Sequence, residues 1–301
     1  MIKLTHIINP VKVTQSSDLH KSQPITFKSM LAAKSNTGND CFVTLCTTQF
    51  QEDIAIIPDG FLQLSNLERS VLDVNKELVG KKLPLIADIL DRLTEAPNTD
   101  YYIYTNTDIA LMPYFYNVVH QHVLNGHDAI VINRRRLSIE YNDELSLDLM
   151  YADLGKSHPG FDCFVFKKEL LAKFVLGDIC VGIPFVEATL LHNIFSFANN
   201  PLFLPDAHLT FHIGTDVMPP RNKSLYWHNR NEFFMNIYPK LKPFFDIKKL
   251  PYAALPIHKR ALKWMLNPSL FTLNYLELEG KSIQQKLKYL LNEIRWNILQ
   301  K

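Results

Sequence analysis

Residues 100–116, DYYIYTNTDIALMPYFY, place a short polar sequence between two apolar runs. Burying an unpaired carboxylate costs several kcal/mol, so Asp108 must either face water at the end of a strand or meet a positive partner. The oxygen atoms of Asn106 and Asp108, two residues apart, are suited to Mg²⁺ or Mn²⁺ shared with phosphate oxygens. Equally open is the alternative that the two residues cap the following helix or form an Asx turn.

His212 is a second candidate metal ligand. It lies near the end of the apolar run LTFHIG, and Gly214 follows two residues later. Imidazole suits Mn²⁺, and a glycine beside it lets the backbone approach a pyrophosphate. A histidine after a strand is also compatible with a packed or solvent-facing ring. The metal role of His212 therefore depends on its meeting Asp108.

Two further carboxylates lie at positions where they could act on a substrate. In HPGFDCFVF, a turn at Pro159 and Gly160 is expected to deliver Asp162 to the start of a strand, where it could bind a sugar hydroxyl or merely cap the turn. In VGIPFVEATLLHN, Pro184 opens a helix with Glu187 in its first turn. A glutamate there complements the helix dipole, or serves as a general base if it projects from the helix mouth.

Basic residues that could contact phosphate follow the same pattern. Arg134, Arg135 and Arg136 form a cluster after an apolar run, and a guanidinium group can bind phosphate through two hydrogen bonds. Lys81 and Lys82 precede the helix that leads to residues 100–116. The alternative for each is a solvated surface charge.

The elements that must position these residues alternate between strand and helix. THIINPV, DCFVTLCTTQF and IAIIPDG are predicted as strands, LPLIADILDRLTEA as an amphipathic helix and YYIYT as a strand buried on both faces. MPYFYNVVHQHVLNG is then predicted as a helix, DAIVINRRR as a strand, DCFVFKKELLAKF as a strand entering a helix, IPFVEATLLHNIFSFA as a helix and HLTFHIG as a strand. This order predicts an α/β domain that binds its ligand at the carboxyl edge of the sheet.

Composition restricts the class of protein. The 301 residues are 47% hydrophobic and 21% charged, and 32 Lys and Arg against 30 Asp and Glu give a net charge of +2, which does not indicate nucleic-acid binding. No apolar run is long enough to cross a bilayer, so we expect a cytoplasmic protein. The four cysteines form no CxxC pair, which argues against a zinc knuckle or a disulfide framework.

The composition changes near residue 219. We expect one α/β domain over residues 1–218 and a C-terminal extension over residues 219–301. The extension contains a Pro-flanked aromatic segment with Trp227, His228 and Asn229, which could fold over a ligand as a lid. It ends in a basic amphipathic helix, SIQQKLKYLLNEIRWNIL, for which packing on the domain and peripheral attachment to an anionic membrane are both open.

Taken in order, these features resemble a GT-A type glycosyltransferase over about residues 1–218. The resemblance rests on the strand THIINP, the Asp-x-Asp-like triplet NTD, the sequence PGFD, the helix carrying Glu187 and the ending HIG. It implies a Rossmann-like, mostly parallel sheet flanked by helices. It also implies a nucleotide-diphosphate sugar as donor, Mn²⁺ or Mg²⁺ as cofactor, and a hydroxyl acceptor that is a glycan, a lipid-linked molecule or a small molecule, as in polysaccharide biosynthesis.

Carried over to this sequence, the resemblance gives each candidate residue a role. Asn106 and Asp108 take the Asp-x-Asp positions, His212 is the third metal ligand and Glu187 is the base or an acceptor-binding carboxylate. Asp162 lines the donor-sugar or acceptor pocket. The nucleotide side is completed by Ile8, Arg134 and Gly214. The sequence departs from the family at Asn106, which supplies no charge, so metal affinity falls or metal becomes dispensable.

That departure motivates a competing hypothesis, a catalytically silent nucleotide-binding or scaffolding protein with the same fold. A metal-dependent phosphoesterase is a third class, but it calls for a second metal cluster that the sequence does not show. The donor sugar, the acceptor, the anomeric outcome and the oligomeric state stay open.

Overall fold

The computed structural model describes residues 1–138, 140–141, 143–213, 222–246, 248–267 and 270. The strands are β1 (Ile2–Ile8), β2 (Cys41–Thr47), β3 (Leu62–Gln63), β4 (Tyr101–Thr105), β5 (Ala110–Leu111), β6 (Ala129–Leu137), β7 (Lys156–Lys167), β8 (Pro201–Leu204) and β9 (Thr210–Ile213). The helices are α1 (Leu19–Ser35), α2 (Val71–Val74), α3 (Ile86–Asp91), α4 (Phe115–Leu124), α5 (Leu147–Ala152), α6 (Lys168–Leu171), α7 (Val186–Phe197), α8 (Lys223–Asn231), α9 (Tyr238–Leu241) and α10 (Ile257–Leu266). A π-helical turn, Glu232–Ile237, joins α8 to α9.

The strands form one sheet in the order β3-β2-β1-β4-β7-β6-β9-β5, with β8 also paired to β6. Strands β1 to β4 are parallel to one another, β7 runs antiparallel between β4 and β6, and β5 is antiparallel to β9. The edge of β6 that faces away from β7 is shared, because β8 pairs with its first half and β9 with its second half. The predicted α/β class with a mostly parallel sheet is confirmed.

The main core lies between the sheet and the helices α1 and α4. Strand β4 is buried along its whole length, as expected for a strand covered on both faces. Phe115 and Tyr116 at the start of α4 are fully buried beside Ile103 of β4 and Met30 of α1. This packing fixes the end of β4, which carries the polar triplet, against rigid elements on both sides.

Two elements within the first 60 residues differ from the sequence prediction. Residues 54–60 (IAIIPDG), predicted as a strand, do not form one: residues 54–56 complete a 3₁₀ helix, Gln51–Ile56, in which the buried Asp53 accepts a hydrogen bond from the backbone N–H of Lys12 at 2.8 Å. Helix α1 was not predicted, because it contains Pro24 and buries polar residues such as Gln23 and Thr26 rather than a regular apolar stripe. Both elements depend on partners far away in sequence.

Strand β7 is also longer than predicted. It includes His158, Pro159 and Gly160, which were expected to form a turn before the strand, so Asp162 lies inside β7 rather than at its start. The chain forms two compact units, Met1–Leu250 and Pro251–Lys301. The segment carrying α8 and the π-helical turn therefore belongs to the same unit as the sheet, and α10 belongs to the second unit.

Candidate active site

The polar triplet lies in a tight turn at the carboxyl end of β4. The chain reverses after Thr105, and the N–H of Ile109 donates to the carbonyl of Asn106 at 3.2 Å before β5 begins. The hydroxyl of Thr107 is directed inward and donates to Oε1 of Gln23 at 3.2 Å. The same Gln23 side chain bonds both the N–H and the C=O of Val11, in the loop after β1. Gln23 thereby joins two neighbouring loops at the carboxyl edge of the sheet.

Asp108 meets His212 at this edge. Strand β9 lies between β6 and β5, and its register places Phe211 opposite Ala110, so the next residue, His212, reaches back to the turn. Nε2 of His212 lies 3.2 Å from Oδ2 of Asp108, and the two side chains are only 17% and 28% exposed. Among the described residues, Nδ1 of His212 is buried without a hydrogen-bond partner. The expectation that these two residues converge therefore agrees with the structure.

The electrostatic surroundings keep Asp108 ionised. Burial raises the pKa of Asp108, but the hydrogen bond and charge of His212 and the charge of Arg134 outweigh burial and leave the pKa below its usual value. Because Asp108 is a carboxylate at neutral pH, it is available to a cation. The compensation that a carboxylate needs at this position comes from these two basic side chains.

Asn106 is held by a tyrosine of the preceding strand. The hydroxyl of Tyr104 donates to Oδ1 of Asn106 at 3.0 Å, and the Tyr104 side chain is 2% exposed. Burial raises the pKa of Tyr104, and the charges of Glu187 and Asp108 raise it further, so the hydroxyl stays protonated and donates. Tyr104 therefore lies within electrostatic reach of both carboxylates. A carbonyl oxygen has a second lone pair, so Asn106 remains able to bind another partner.

Arg134 and Asp162 form an ion pair across β6 and β7. The ladder between these strands is irregular around Asn133 and Arg135, and Arg134 turns there toward Asp162. The Asp162 side chain is 3% exposed, and its Oδ2 has no hydrogen-bond partner among the described residues. Burial raises the pKa of Asp162; Arg134 opposes this effect and the charge of Asp108 adds to it. One oxygen of Asp162 is thus held by Arg134, and the other is available for a ligand.

Glu187 lies in the first turn of α7, close to this ion pair. Burial, together with the charge of Asp162, raises the pKa of Glu187 from 4.5 to about 7. The backbone N–H groups at the helix start and the charge of Arg134 act in the opposite direction and moderate the effect. A carboxylate with a pKa near neutrality accepts and releases a proton under physiological conditions, which is the property of a general base.

The position of Glu187 is fixed by an unusual turn. Phe185, which immediately precedes α7, has a φ of +95°, a conformation that side-chain-bearing residues rarely adopt. Its ring packs against Tyr226, Phe233 and Phe234. Backbone strain of this kind persists only where surrounding contacts enforce it. Here the contacts come from α8 and the π-helical turn.

Asn229 of α8 secures the same turn through its amide. Its side chain is fully buried and accepts from the N–H of Cys180 at 2.9 Å. It donates to the carbonyls of Cys180 at 2.9 Å and Pro184 at 3.1 Å. Nε2 of the neighbouring His228 lies 2.8 Å from the carbonyl oxygen of Asp178. The segment predicted as a lid is thus a helix that holds the residues leading into α7.

The side chains at this edge offer few ligands to a divalent cation. Within the described ranges, no group of three or more His, Cys, Asp or Glu side chains could hold a metal ion. Asp108 and His212 nevertheless offer a carboxylate oxygen and an imidazole nitrogen at adjacent positions, with the Asn106 amide on the same turn. Mg²⁺ and Mn²⁺ are commonly bound by one or two protein ligands together with substrate phosphates. The residues present fit such a substrate-completed site.

The structure brings together most of the residues selected from the sequence. Those that meet at the carboxyl edge are Asn106, Asp108, Arg134, Asp162, Glu187 and His212. Ile8 ends β1 with its side chain fully buried in the core, so only its backbone faces the edge, where its carbonyl accepts from Thr48. Gly214 lies outside the described residues, as does the predicted helix over residues 282–299.

Two of the remaining basic candidates have other partners. Arg135 forms an ion pair with Asp206 and bonds the backbone of Leu154, and Lys82 pairs with Glu52 and lies over the ring of Phe50. Gln23 and Tyr104 contribute to the site and were missed, and Asn229 was selected only as part of a lid. Tyr104 could have been found, because an i, i+2 pair at the end of a strand lies on one side of the chain. The other two depend on tertiary contacts.

In the part of the chain that the structure describes, no helix combines the length and apolar character that crossing a membrane requires.

No protein-family profile matches the chain, and no curated protein matches it. Solved structures similar to it include glucosyl-3-phosphoglycerate synthase from Mycobacterium tuberculosis in complex with Mn²⁺, uridine diphosphate and phosphoglyceric acid, at 15% identity and a TM-score of 0.45, covering 80% of this chain and 78% of that one. They also include residues 1–349 of S. aureus TarS in complex with UDP-GlcNAc, at 10% identity and a TM-score of 0.42, covering 95% of this chain and 92% of that one. The similarity concerns the fold alone.

Proposed function

We propose that the protein is a glycosyltransferase that moves a sugar from a nucleotide-diphosphate donor to an acceptor hydroxyl with inversion at the anomeric carbon. The observation that carries the proposal is one edge of the sheet where the Asp108–His212 pair, 3.2 Å apart, stands beside Glu187, whose pKa is raised to about 7. A cation and diphosphate site next to a general base is the combination that glycosyl transfer needs. The residues involved all lie within residues 1–218.

Glu187 is assigned the role of base. In the displacement, the acceptor oxygen bonds to the anomeric carbon as the bond from that carbon to the phosphate oxygen breaks. The acceptor proton passes to the Glu187 carboxylate, and the electron pair leaves with the diphosphate. An acceptor hydroxyl has a pKa far above neutrality, so it becomes an effective nucleophile only when a positioned base removes its proton.

Asp162 and Arg134 are assigned to the sugar. The unpartnered Oδ2 of the buried Asp162 is an acceptor for a sugar hydroxyl, and the ion pair with Arg134 fixes the orientation of the carboxylate. The negative charge of Asp162 also raises the pKa of Glu187. Asp162 thus has two roles, because it binds the sugar and its charge raises the pKa of the base, Glu187.

Asp108 and His212 are assigned to the diphosphate, with Asn106 as an uncharged third oxygen donor held by Tyr104. A Mn²⁺ or Mg²⁺ ion bound there would neutralise the charge that develops on the departing diphosphate. Arg134 places positive charge at this edge in addition. Because Asn106 supplies no charge, we expect weaker cation binding than a site with two carboxylates would give.

The test is transfer and hydrolysis measured with a panel of UDP-, GDP- and CMP-sugars, with Mn²⁺ and with a chelator. Asp108→Ala should lower kcat by roughly 10²–10³-fold, the usual effect of removing one group that stabilises developing charge. Asp91→Ala is the matched control, because Asp91 is an exposed aspartate at the end of α3, away from this edge. An unchanged rate in a folded Asp108→Ala protein, or no binding of any sugar nucleotide by the wild type, would reject the proposal.

One observation favours a second candidate, a catalytically silent nucleotide-binding protein. Asn106 stands where a carboxylate would complete a cation site, and within the described residues only two strong ligands converge. Such a protein would be stabilised by nucleotide, by about 2.7 kcal/mol at a ligand concentration 100 times Kd, without turning over any donor. Thermal unfolding with and without nucleotide, run beside the transfer assay, separates the two candidates.

A further inference from the structure

Among the residues of the second unit that the structure describes, helix α10 makes its side-chain contacts along one side. It begins after Pro256, and Trp264 is 4% exposed, with its indole N–H donating to the carbonyl of Pro251 at 2.8 Å. The guanidinium group of Arg260 donates to the carbonyl of Ala253 at 2.9 Å and lies over the Trp264 ring. These contacts hold one side of the helix against the turns that precede it.

The other side of α10 is apolar and exposed. Ile257, Leu262, Met265 and Leu266 are 73%, 53%, 60% and 72% exposed, respectively. With 3.6 residues per turn, these side chains and Ala261 lie on one half of the helix, which also carries the exposed polar side chain of His258. Single exposed apolar residues are ordinary on protein surfaces, but a contiguous apolar face indicates an interaction site.

The charges beside this face are all positive. Lys259, Arg260 and Lys263 line one flank, and residues 251–267 contain no Asp or Glu. The excess of basic residues extends to the whole second unit. Residues 251–301 contain 8 Lys and Arg against 3 Glu, whereas residues 1–250 contain 24 Lys and Arg against 27 Asp and Glu. The nearly balanced net charge of the chain is therefore the sum of a basic second unit and a slightly acidic first unit.

Other exposed leucines of the protein lack this surrounding. Leu145, Leu149 and Leu154 are 81%, 65% and 69% exposed, and they lie beside acidic residues such as Glu144 and Asp148. They are as apolar as the α10 face but have the opposite charge environment. They therefore provide a matched comparison within the same chain.

We infer that α10 is a membrane-surface helix, which inserts its apolar face between the headgroups of an anionic lipid bilayer while its cationic flank binds the phosphates. At 1.5 Å per residue the 10-residue helix is about 15 Å long, half the thickness of a bilayer core, so it lies in the plane of the surface. An anionic bilayer offers apolar depth and negative charge side by side. If a second copy of the helix packed on this face instead, the positively charged flanks of the two helices would repel each other.

The test is flotation of the full-length protein with vesicles of phosphatidylcholine alone and of phosphatidylcholine mixed with phosphatidylglycerol, at low and high salt. The wild type should float with the anionic vesicles and be released by salt. Each basic residue near the surface contributes roughly fivefold to the partition coefficient, so Lys259→Gln with Lys263→Gln should lower it roughly 25-fold. The substitutions Leu262→Ser, Met265→Ser and Leu266→Ser together should abolish flotation, because each removes roughly a tenfold contribution.

Two control proteins distinguish a specific face from general stickiness. The triple variant Leu145→Ser, Leu149→Ser, Leu154→Ser removes equally exposed leucines, and Lys156→Gln with Lys173→Gln removes two exposed lysines of the first unit; both should float like the wild type. The inference is overturned if the wild type does not prefer anionic vesicles or if the α10 variants float normally. It is overturned as well if light scattering shows that the α10 variants dissociate a wild-type dimer while flotation is absent. Vesicle binding needs no transferase activity, so these outcomes are independent of the proposed function.

Discussion

Replacing Glu187 by glutamine should stabilise the protein at alkaline pH while it removes the proposed base. The folded-state pKa of Glu187 is about 7, against an ordinary value of 4.5, chiefly because the carboxylate is buried and secondarily because Asp162 repels it. Between these two values the folded protein binds more protons than the unfolded chain. The free energy of unfolding must therefore fall as pH rises through this window. A glutamine at this position does not titrate and escapes the penalty.

The size of the effect follows from the pKa values. Each pKa unit corresponds to about 1.4 kcal/mol, so the ionised carboxylate costs the folded wild type roughly 3 kcal/mol well above pH 7. At pH 5 most of this penalty is absent. The stability advantage of Glu187→Gln over the wild type should consequently grow by about 2–3 kcal/mol between pH 5 and pH 8.5. For a protein of 301 residues, that corresponds to a difference in Tm of about 3–5 °C.

The assay is thermal and urea unfolding of both proteins at pH 5 and pH 8.5, with transfer rates measured in parallel. Glu169→Gln is the control, because Glu169 is an exposed glutamate in α6 and should show no pH-dependent gain. We expect Glu187→Gln to lower kcat by roughly 10²–10⁴-fold, the range for loss of a general base. A pH-independent stability difference, or a variant that is less stable than the wild type at pH 8.5, would refute both the raised pKa and its assigned cause.

Two further predictions concern the surroundings of Glu187. Asp162→Asn removes the negative charge that raises the pKa of Glu187 and leaves Arg134 to lower it. The rising limb of the pH profile of kcat/KM should therefore move to lower pH by about one unit. A limb that stays in place would disprove the coupling between the two carboxylates. Asn229→Ala leaves the N–H and C=O of Cys180 buried without their partner. Urea unfolding should therefore show that the free energy of unfolding falls by about 2–4 kcal/mol. The variant should lower kcat and change KM less. A loss below about 0.5 kcal/mol would mean that Asn229 does not secure the turn before α7.

The sequence was informative wherever polar residues interrupt an apolar pattern. Asn106, Asp108, Asp162, Glu187 and His212 were selected because their side chains are expensive to bury, and they meet at one edge of the sheet. The same logic failed for α1, whose buried side includes Gln23, Thr26 and Ser29. Periodicity detects helices that bury apolar stripes and overlooks one whose buried face is partly polar.

Local patterns failed again at residues 54–57, where β-branched residues favour a strand. Their backbone is mainly 3₁₀ because Asp53 is drawn to the N–H of Lys12, a contact between segments 41 residues apart. Propensity is a weak prior that tertiary hydrogen bonds override. The unusual φ of Phe185 is a further case, since the rings that enforce it come from α8 and the π-helical turn.

Sequence patterns were enough to predict the class of fold and several side chains that meet at its edge, because apolar periodicity specifies which elements pack and polar residues at strand ends specify what faces the edge. Only the tertiary structure decided how these groups act on one another. Strand β9 had to enter between β6 and β5 before His212 could reach Asp108. Glu187 had to be buried beside Asp162 before its pKa could approach 7, because a pKa depends on desolvation and on neighbouring charges, and both are properties of the folded chain.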